Sequence, residues 1–220
     1  LVQESVNEFY KSDRNLARAI NLATQASEAC LKAGNPEQAI TSLINGASIC
    51  MVNKEPQKAL ELSKRALELA ANVSDKLLLA RSYQNIGAAE KMLGKYDEAL
   101  ASFNEALKIY DTNSNTPMRD ELLCIKSIGS TYYMKNDFAK AYENHILALN
   151  LLDITPELSG NELVRSELLI EVANDLAKLE RKDEAAKNYK EVLEILKGKE
   201  QNPRALGLLE RASKGLKELN

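Results

Sequence analysis

Residues 87–111 read GAAEKMLGKYDEALASFNEALKIYD, and this stretch has the pattern of two helices joined by a tight turn. Gly94-Lys95-Tyr96-Asp97 interrupts the helical pattern in the middle, where Gly suits the residue that follows a helix. Gly87 and Ala99 are small residues at positions where the two helices would touch. The stretch therefore predicts a closely packed helical hairpin.

The hairpin is one copy of a repeat. The motif Ala-Leu-x-x-x-x-x-Ala-Leu occupies residues 59–67, and it returns 40 residues later at 99–107. The same register continues at spacings of 40–44 residues, at Ala19, Ala141 and Ala185. A small residue lies twelve positions before each of Ala59, Ala99, Ala141 and Ala185; these small residues are Ala47, Gly87, Gly129 and Ala173. A large apolar residue lies four positions before each small one, namely Leu43, Tyr83, Ile125 and Leu169. Spacings of three and four residues place these side chains on one helical stripe.

The breaks between segments support a helical array. In Gly34-Asn35-Pro36, Gly suits the end of one helix, Asn the cap of the next and Pro its first turn. The pattern predicts helices at about 1–11, 14–33, 36–53, 55–73, 75–94, 96–111, 117–135, 138–154, 160–180, 182–197 and 203–219. We therefore expect an all-α solenoid of stacked antiparallel hairpins in a single domain, 1–220. The hairpins are expected at 1–33, 36–73, 75–111, 117–154 and 160–197, with a C-terminal capping helix at 203–219.

The composition excludes several classes of protein. The chain has 220 residues, 28% of them charged, and a net charge of −3, so it lacks the basic excess of a nucleic-acid-binding domain. No apolar run is long enough to cross a membrane. The three cysteines form no Cys-x-x-Cys motif, and the polar start, LVQESVNEFYKSDRN, lacks a signal-peptide core. We expect a cytoplasmic protein that contacts neither nucleic acid nor the membrane interior.

Motifs for catalysis are lacking. His145 is the only histidine, so a cluster of two histidines cannot form, and its position matches Phe103 and Tyr189 in the neighbouring copies. We interpret it as a packing residue. Gly87 and Gly94-Lys95 resemble a phosphate-binding loop only superficially, because the spacing is wrong and Tyr96 stands where a Ser or Thr is needed. The sequence predicts no enzyme, no cofactor and no metal site.

The chain resembles the tetratricopeptide repeat family. The resemblance is carried by these residues: Gly87, Gly94, Tyr96, Ala99, Phe103, Ala106, Gly129, Tyr132, Phe138, Ala141 and Ala148. The family repeat is about 34 residues, whereas this chain repeats at 40–44 residues, which predicts longer helices or longer loops such as 112–117 and 153–160. Families with repeats of this length include the soluble NSF attachment proteins, kinesin light chains, spindle adaptors and bacterial peptide-sensing regulators.

The resemblance implies that the first helix of each hairpin lines a concave groove that binds a partner. Carried over position by position, it implies these partner-binding residues: Asn45, Ser48, Arg81, Gln84, Asn85, Lys91, Lys126, Ser130, Tyr133 and Asn174. Asn45 and Asn85 are equivalent, and an amide can pair with the backbone of an extended peptide; solvated surface residues are the alternative.

Charge and methionines add further expectations for the groove. Arg81, Lys91 and Lys126 would make its middle basic while Glu167 and Glu171 make its end acidic, so an acidic peptide would suit the middle. Ordinary surface charge is the alternative. Glu90 stands where the family has an apolar residue, and we expect an Arg or Lys partner for it. We interpret the recurrent methionines as gap fillers between packed helices: Met51, Met92 and Met134.

We therefore expect a non-catalytic scaffold or adaptor that binds a peptide or helix of a partner protein in its groove. Two alternatives stay open at this point. One is a membrane-fusion adaptor similar to the soluble NSF attachment proteins, and the other is the peptide-sensing domain of a bacterial regulator. The sequence does not indicate the oligomeric state.

Overall fold

The computed structural model describes residues 1–5 and 15–219, with the side chain of Ser159 excepted. All regular elements in these ranges are helices. Residues 2–5 are helical, and eleven further helices follow: α1 (Leu16–Lys32), α2 (Pro36–Val52), α3 (Pro56–Ala70), α4 (Lys76–Met92), α5 (Tyr96–Thr112), α6 (Met118–Met134), α7 (Phe138–Ile154), α8 (Pro156–Ser159), α9 (Glu162–Lys178), α10 (Lys182–Ile195) and α11 (Pro203–Glu218). Most of the helix predicted at 1–11 lies outside the described residues.

The helices form two compact units, unit 1 (Leu1–Thr116) and unit 2 (Pro117–Asn220). In unit 1, α2 pairs with α3 and α4 with α5; in unit 2, α6 pairs with α7 and α9 with α10. Helix α11 packs on α10 and α9, and its outward residues are mostly charged. The predicted all-α fold of stacked hairpins with a C-terminal capping helix is confirmed, while the single domain over 1–220 stays a prediction.

The alanine register places the core. The predicted alanines of the second helices are completely buried, including Ala59, Ala99, Ala141 and Ala185. Each first helix brings a small residue against them. A Cβ atom added to Gly87 would lie 2.9 Å from two atoms of the Phe103 ring, well inside contact distance. The hairpins therefore pack as closely as the sequence pattern predicted.

Five of the turns between helices repeat one backbone motif. At its centre a residue has positive φ: Gly34, Lys54, Gly94, Asn136 and Glu180. The amide after it donates to a carbonyl five residues earlier, as Lys95 N does to Glu90 O at 2.9 Å, which is the Schellman closure of a helix end. Pro36, Pro56 and Pro203 begin helices, as predicted, but the Asn35 side chain forms no cap hydrogen bond.

One predicted loop contains a helix. Residues 153–160 include the single turn α8, with Pro156 at its first position and Glu157 in its first turn. The hydroxyl of the buried Thr155 donates to Leu151 O, so the chain leaves α7 at a fixed angle. Proline and an acidic residue both favour a helix start, which explains why the segment is ordered as a turn of helix.

The turn motif makes a stability prediction. Lys54 has φ 59°, and an L-residue in this region is less favourable than glycine by about 1 kcal/mol. We expect Lys54→Gly to raise the free energy of unfolding by about 1 kcal/mol in urea titrations. The matched control is Gly94→Ala, where φ is 76° and an added Cβ would meet nothing within 4 Å. It should be destabilising, and a loss of stability in Lys54→Gly would contradict the argument.

Candidate functional site

The first helices of unit 1 are joined by a side-chain hydrogen bond. Asn85 Nδ2, on α4, donates to Ile44 O at 3.0 Å and to Ser48 Oγ at 3.3 Å, both on α2. Ser48 Oγ in turn donates to Ile44 O at 3.0 Å. Two predicted partner-binding residues therefore connect neighbouring repeats, and the amide donor of Asn85 is already occupied.

Asn45 differs from its equivalent. Its side chain is half-buried on α2, and within the described residues it forms no hydrogen bond. The two asparagines share a repeat position, but only Asn45 keeps both its donor and its acceptor available. Of the ten predicted partner-binding residues, it alone has neither a hydrogen bond, an ion pair nor a ring contact in the part of the chain that the structure describes.

The other predicted residues of α4 are also engaged. Gln84 Oε1 accepts a hydrogen bond from the Tyr110 hydroxyl at 2.8 Å, which ties α4 to α5. Arg81 and Lys91 are half-buried, and neither is without an interaction partner. Glu90 accepts from Ser102 Oγ at 2.8 Å. The expected basic partner of Glu90 is thus replaced by a hydroxyl, which suits a carboxylate on the partly exposed rim of the hairpin.

In unit 2 the predicted basic and acidic residues meet. Lys126 Nζ lies 3.2 Å from Glu167 Oε2, and Arg204 Nη2 lies 3.1 Å from the same oxygen. This pairing joins α6, α9 and α11. The expected separation of a basic segment from an acidic end therefore does not hold for Lys126 and Glu167.

The remaining predicted residues of unit 2 also have partners. Ser130 Oγ donates to Ser127 O at 3.1 Å, and the Tyr189 hydroxyl donates to Asn174 Oδ1 at 2.6 Å. Tyr133 packs edge-on against Phe138 with ring centroids 5.2 Å apart. Burial, and then the charge of Asp175, raise the pKa of Tyr133.

The recurrent methionines do not share one role. Met51 is half-buried and packs against the core of unit 1, as predicted. Met92 and Met134 are 45% and 53% exposed, and Val52 is 50% exposed. The gap-filling interpretation is therefore wrong for Met92 and Met134. Val52 and Met92 end the first helices of unit 1 with apolar surface that faces solvent.

The most unusual polar cluster is one that the sequence did not reveal. His145, on α7, is 2% exposed and packs directly on Gly129, where an added Cβ would lie 2.6 Å from the imidazole. Its Nδ1 donates to Asp175 Oδ2 at 2.6 Å, and its Nε2 lies 3.1 Å from Glu171 Oε2. The second approach is an ion pair without hydrogen-bond alignment. His145 is a packing residue, as predicted, and it is also the centre of a buried ionic cluster.

Burial and the two carboxylates compete for the proton of His145. Burial alone lowers the pKa of the imidazole, but the hydrogen bond to Asp175 and the pairing with Glu171 outweigh it and raise the pKa from 6.5 to about 9. Burial raises the pKa of Asp175, whereas the pKa of Glu171 is lowered because His145, Lys126 and Arg211 together outweigh its burial. The imidazole is thus charged near neutral pH and sealed from solvent, so it stabilises the fold and is inaccessible to a substrate.

The only sequence signal for this cluster is the placement of acids on α9. Asp175 occupies the repeat position of Ala89, and Glu171 that of Asn85. The pattern that could have indicated this cluster is a histidine at an aromatic core position of one hairpin, together with two acids at inward positions on the first helix of the next hairpin. Within the described residues, no group of three His, Cys, Asp or Glu side chains is arranged to hold a metal ion.

Residues 38–112 match the family model of the tetratricopeptide repeat. The match covers the two complete hairpins of unit 1 and includes the stretch 87–111. The predicted resemblance is confirmed there, and tetratricopeptide repeats are typical of non-enzymatic protein-interaction scaffolds.

Solved structures extend the likeness of fold to most of the chain. One is a variant of nearly identical TPR-like repeats from a kinesin light chain of Podosopora anserina. Its sequence is 17% identical to this chain, and the TM-score is 0.69, with 91% of this chain and 95% of that one covered. The apo form of RapI is 15% identical, with a TM-score of 0.77 over 99% of this chain and 80% of that one. A Rap protein complexed with Competence and Sporulation Factor is 17% identical, with a TM-score of 0.63 over 99% of this chain and 65% of that one.

No curated protein matches the sequence. Among the helices that the structure describes, none is both long enough and apolar enough to cross a membrane.

The two equivalent asparagines predict different effects on stability. Asn85→Ala removes two hydrogen bonds between repeats and should lower the free energy of unfolding by about 1 kcal/mol. Asn45→Ala removes a side chain without a described partner and should change it by less than about 0.5 kcal/mol. Urea titrations of the two variants beside the parent chain measure the difference. Equal effects would contradict the assignment of Asn85 to the scaffold.

The histidine cluster predicts a pH dependence of stability. Since the pKa of His145 is higher in the folded chain, about 9, than the unfolded value of 6.5, protonation stabilises the fold fully below pH 6.5. This contribution, about 3 kcal/mol, is lost as the pH rises through about 9. The single histidine gives one imidazole Cε1–H resonance, and its NMR titration should have a midpoint near 9.

A matched set of variants isolates the cluster. His145→Phe alone leaves the buried Asp175 without its cationic partner and should cost about 3–5 kcal/mol. The triple variant His145→Phe, Glu171→Asn, Asp175→Ala copies Phe103, Asn85 and Ala89 of unit 1. It should recover most of that stability and lose the parent's dependence between pH 6.5 and 9. The same dependence in parent and triple variant would refute the role of His145.

Proposed function

We propose that this chain is a non-catalytic scaffold that binds a peptide or helical segment of a partner protein along a concave surface formed by the first helices of its hairpins. The observation that carries the proposal is the direct contact between successive first helices, tied by Asn85 to Ile44 in unit 1 and by Lys126 to Glu167 in unit 2. Such contacts produce a continuous surface of exposed side chains in each unit, which is the binding surface that stacked repeats use.

The side chains of unit 1 that are available for binding suit an extended peptide segment of a partner. Asn45 offers an amide donor and acceptor to a peptide backbone, while Val52 and Met92 offer exposed apolar contacts at the ends of their helices. Arg81 and Lys91 add positive charge on α4, which supports an acidic partner. We therefore propose that Asn45 forms the hydrogen bonds to the peptide backbone.

A peptide sensor is the second candidate. It is favoured by the Rap fold, which covers nearly the whole chain, and by the Rap protein that is complexed with Competence and Sporulation Factor. Both candidates have peptide binding in common, and they differ in whether the bound peptide is a free signal or part of a larger protein. A cytoplasmic location suits either one and agrees with the three free cysteines.

Selection from a random 12-residue peptide library on the immobilised chain tests the proposal. Selected peptides should bind the chain in solution, as measured by fluorescence anisotropy. Asn45→Ala should weaken binding about fivefold, because a buried backbone hydrogen bond contributes about 1 kcal/mol. The control is Asn104→Ala, an exposed asparagine on the second helix α5, which should bind like the parent. A library without binders, or equal affinity for both variants, would refute the proposal.

A further inference from the structure

A pocket of about 330 Å³ lies within unit 2, where α8 closes the space between α6, α9 and the start of α11. Its accessible apolar wall includes Leu123 and Val164, both half-buried, and Leu158, which α8 brings in. The volume is at the lower end of the range for ligand sites in proteins, so it suits one or two side chains. The pocket depends on the unpredicted helix α8.

The charges at this pocket favour an anion. Arg119, Lys126 and Arg204 line it against two acids, Glu157 and Glu167. Glu167 is already held by both Lys126 and Arg204 at 3.2 and 3.1 Å. Arg119 is exposed, and within the described residues it has no carboxylate partner. The guanidinium of Arg119 is therefore the group at the mouth that remains to bind a carboxylate.

We propose that this pocket binds a partner peptide by an aliphatic side chain, with the carboxylate of an adjacent Asp or Glu paired to Arg119. The aliphatic side chain contacts Leu123, Leu158 and Val164, and its burial supplies most of the affinity. The ion pair at the exposed mouth sets the register and the preference for an acidic neighbour. This site rests on the proposed peptide-binding function and deepens it, because it names what the peptide must contain.

The probes are three blocked tetrapeptides: Ac-Ala-Leu-Glu-Ala-NH2, Ac-Ala-Leu-Gln-Ala-NH2 and Ac-Ala-Ala-Glu-Ala-NH2. They are titrated into the ¹⁵N-labelled chain, and amide shifts are followed by NMR. The first peptide should shift amides of residues 119–126 and 157–167. Replacing Glu by Gln should weaken binding about threefold, as expected for an exposed ion pair. Replacing Leu by Ala should weaken it about tenfold.

Variants of the chain complete the test. Arg119→Gln should bind the Leu-Glu peptide about threefold more weakly and no longer distinguish it from the Leu-Gln peptide. Arg18→Gln, at an exposed arginine of unit 1, is the matched control and should behave like the parent. Leu158→Ala should weaken all leucine peptides, and circular dichroism verifies that each variant is folded.

The outcomes separate this site from the proposed function. Library-selected peptides that bind but shift only residues of unit 1 would overturn the pocket and leave the scaffold function in place. A chain that binds no peptide of any kind would overturn both. N-acetylglutamate that binds as tightly as the Leu-Glu peptide would overturn the role of the aliphatic side chain. A dimer whose contact covers residues 119–126, seen by sedimentation and line broadening, would show that a second copy occupies the pocket, and this would overturn the proposal.

Discussion

The rest of the structure depends on one contact within the hairpin, in which a glycine of the first helix packs against a ring of the second helix. Gly87 meets Phe103 in unit 1 and Gly129 meets His145 in unit 2, each at a distance that a Cβ atom would not permit. This close approach buries the alanines of the second helix completely. It also leaves the first helices free to contact one another, as Asn85 on α4 contacts Ile44 on α2.

Replacing the ring by an imidazole changes the chemistry of this contact without changing its geometry. A buried imidazole needs partners for two nitrogen atoms, and α9 supplies them as Asp175 and Glu171. The result ties α7 to α9 through charge, whereas unit 1 ties α4 to α2 through the neutral amide of Asn85. The cluster also favours this pairing of helices over others, since buried charges must be matched by partners.

The periodic features of the fold could be predicted from the sequence because they depend on local spacing. The register of the alanines, the small residues facing them and the turns at Gly34 and Gly94 all follow from positions a few residues apart, and all agree with the structure. The helix α8 was missed because Pro156 and Gly160 marked the segment as a loop. A single turn of helix has no periodicity long enough to detect.

The roles of polar residues could not be predicted in the same way. Asn45 and Asn85 occupy one repeat position, yet the partner of Asn85 lies 41 residues earlier in the chain, on another helix. Whether such a side chain joins two repeats or stays available depends on the residue opposite it, and spacing within one helix contains no information about that residue. For the same reason, the pairing of His145 with acids could not be predicted, because its partner Asp175 lies 30 residues later in the chain.

This division of polar residues bears on how a repeat surface acquires specificity. Most of the ten predicted binding residues hold one helix to another, so a substitution at them would change the spacing of the surface as well as its chemistry. In the proposed function, the side chains that the scaffold does not already use, such as Asn45 in unit 1 and Arg119 in unit 2, contribute to partner recognition. Under this proposal, specificity depends on a few unpaired groups set among many paired ones, and the paired ones determine where those few lie.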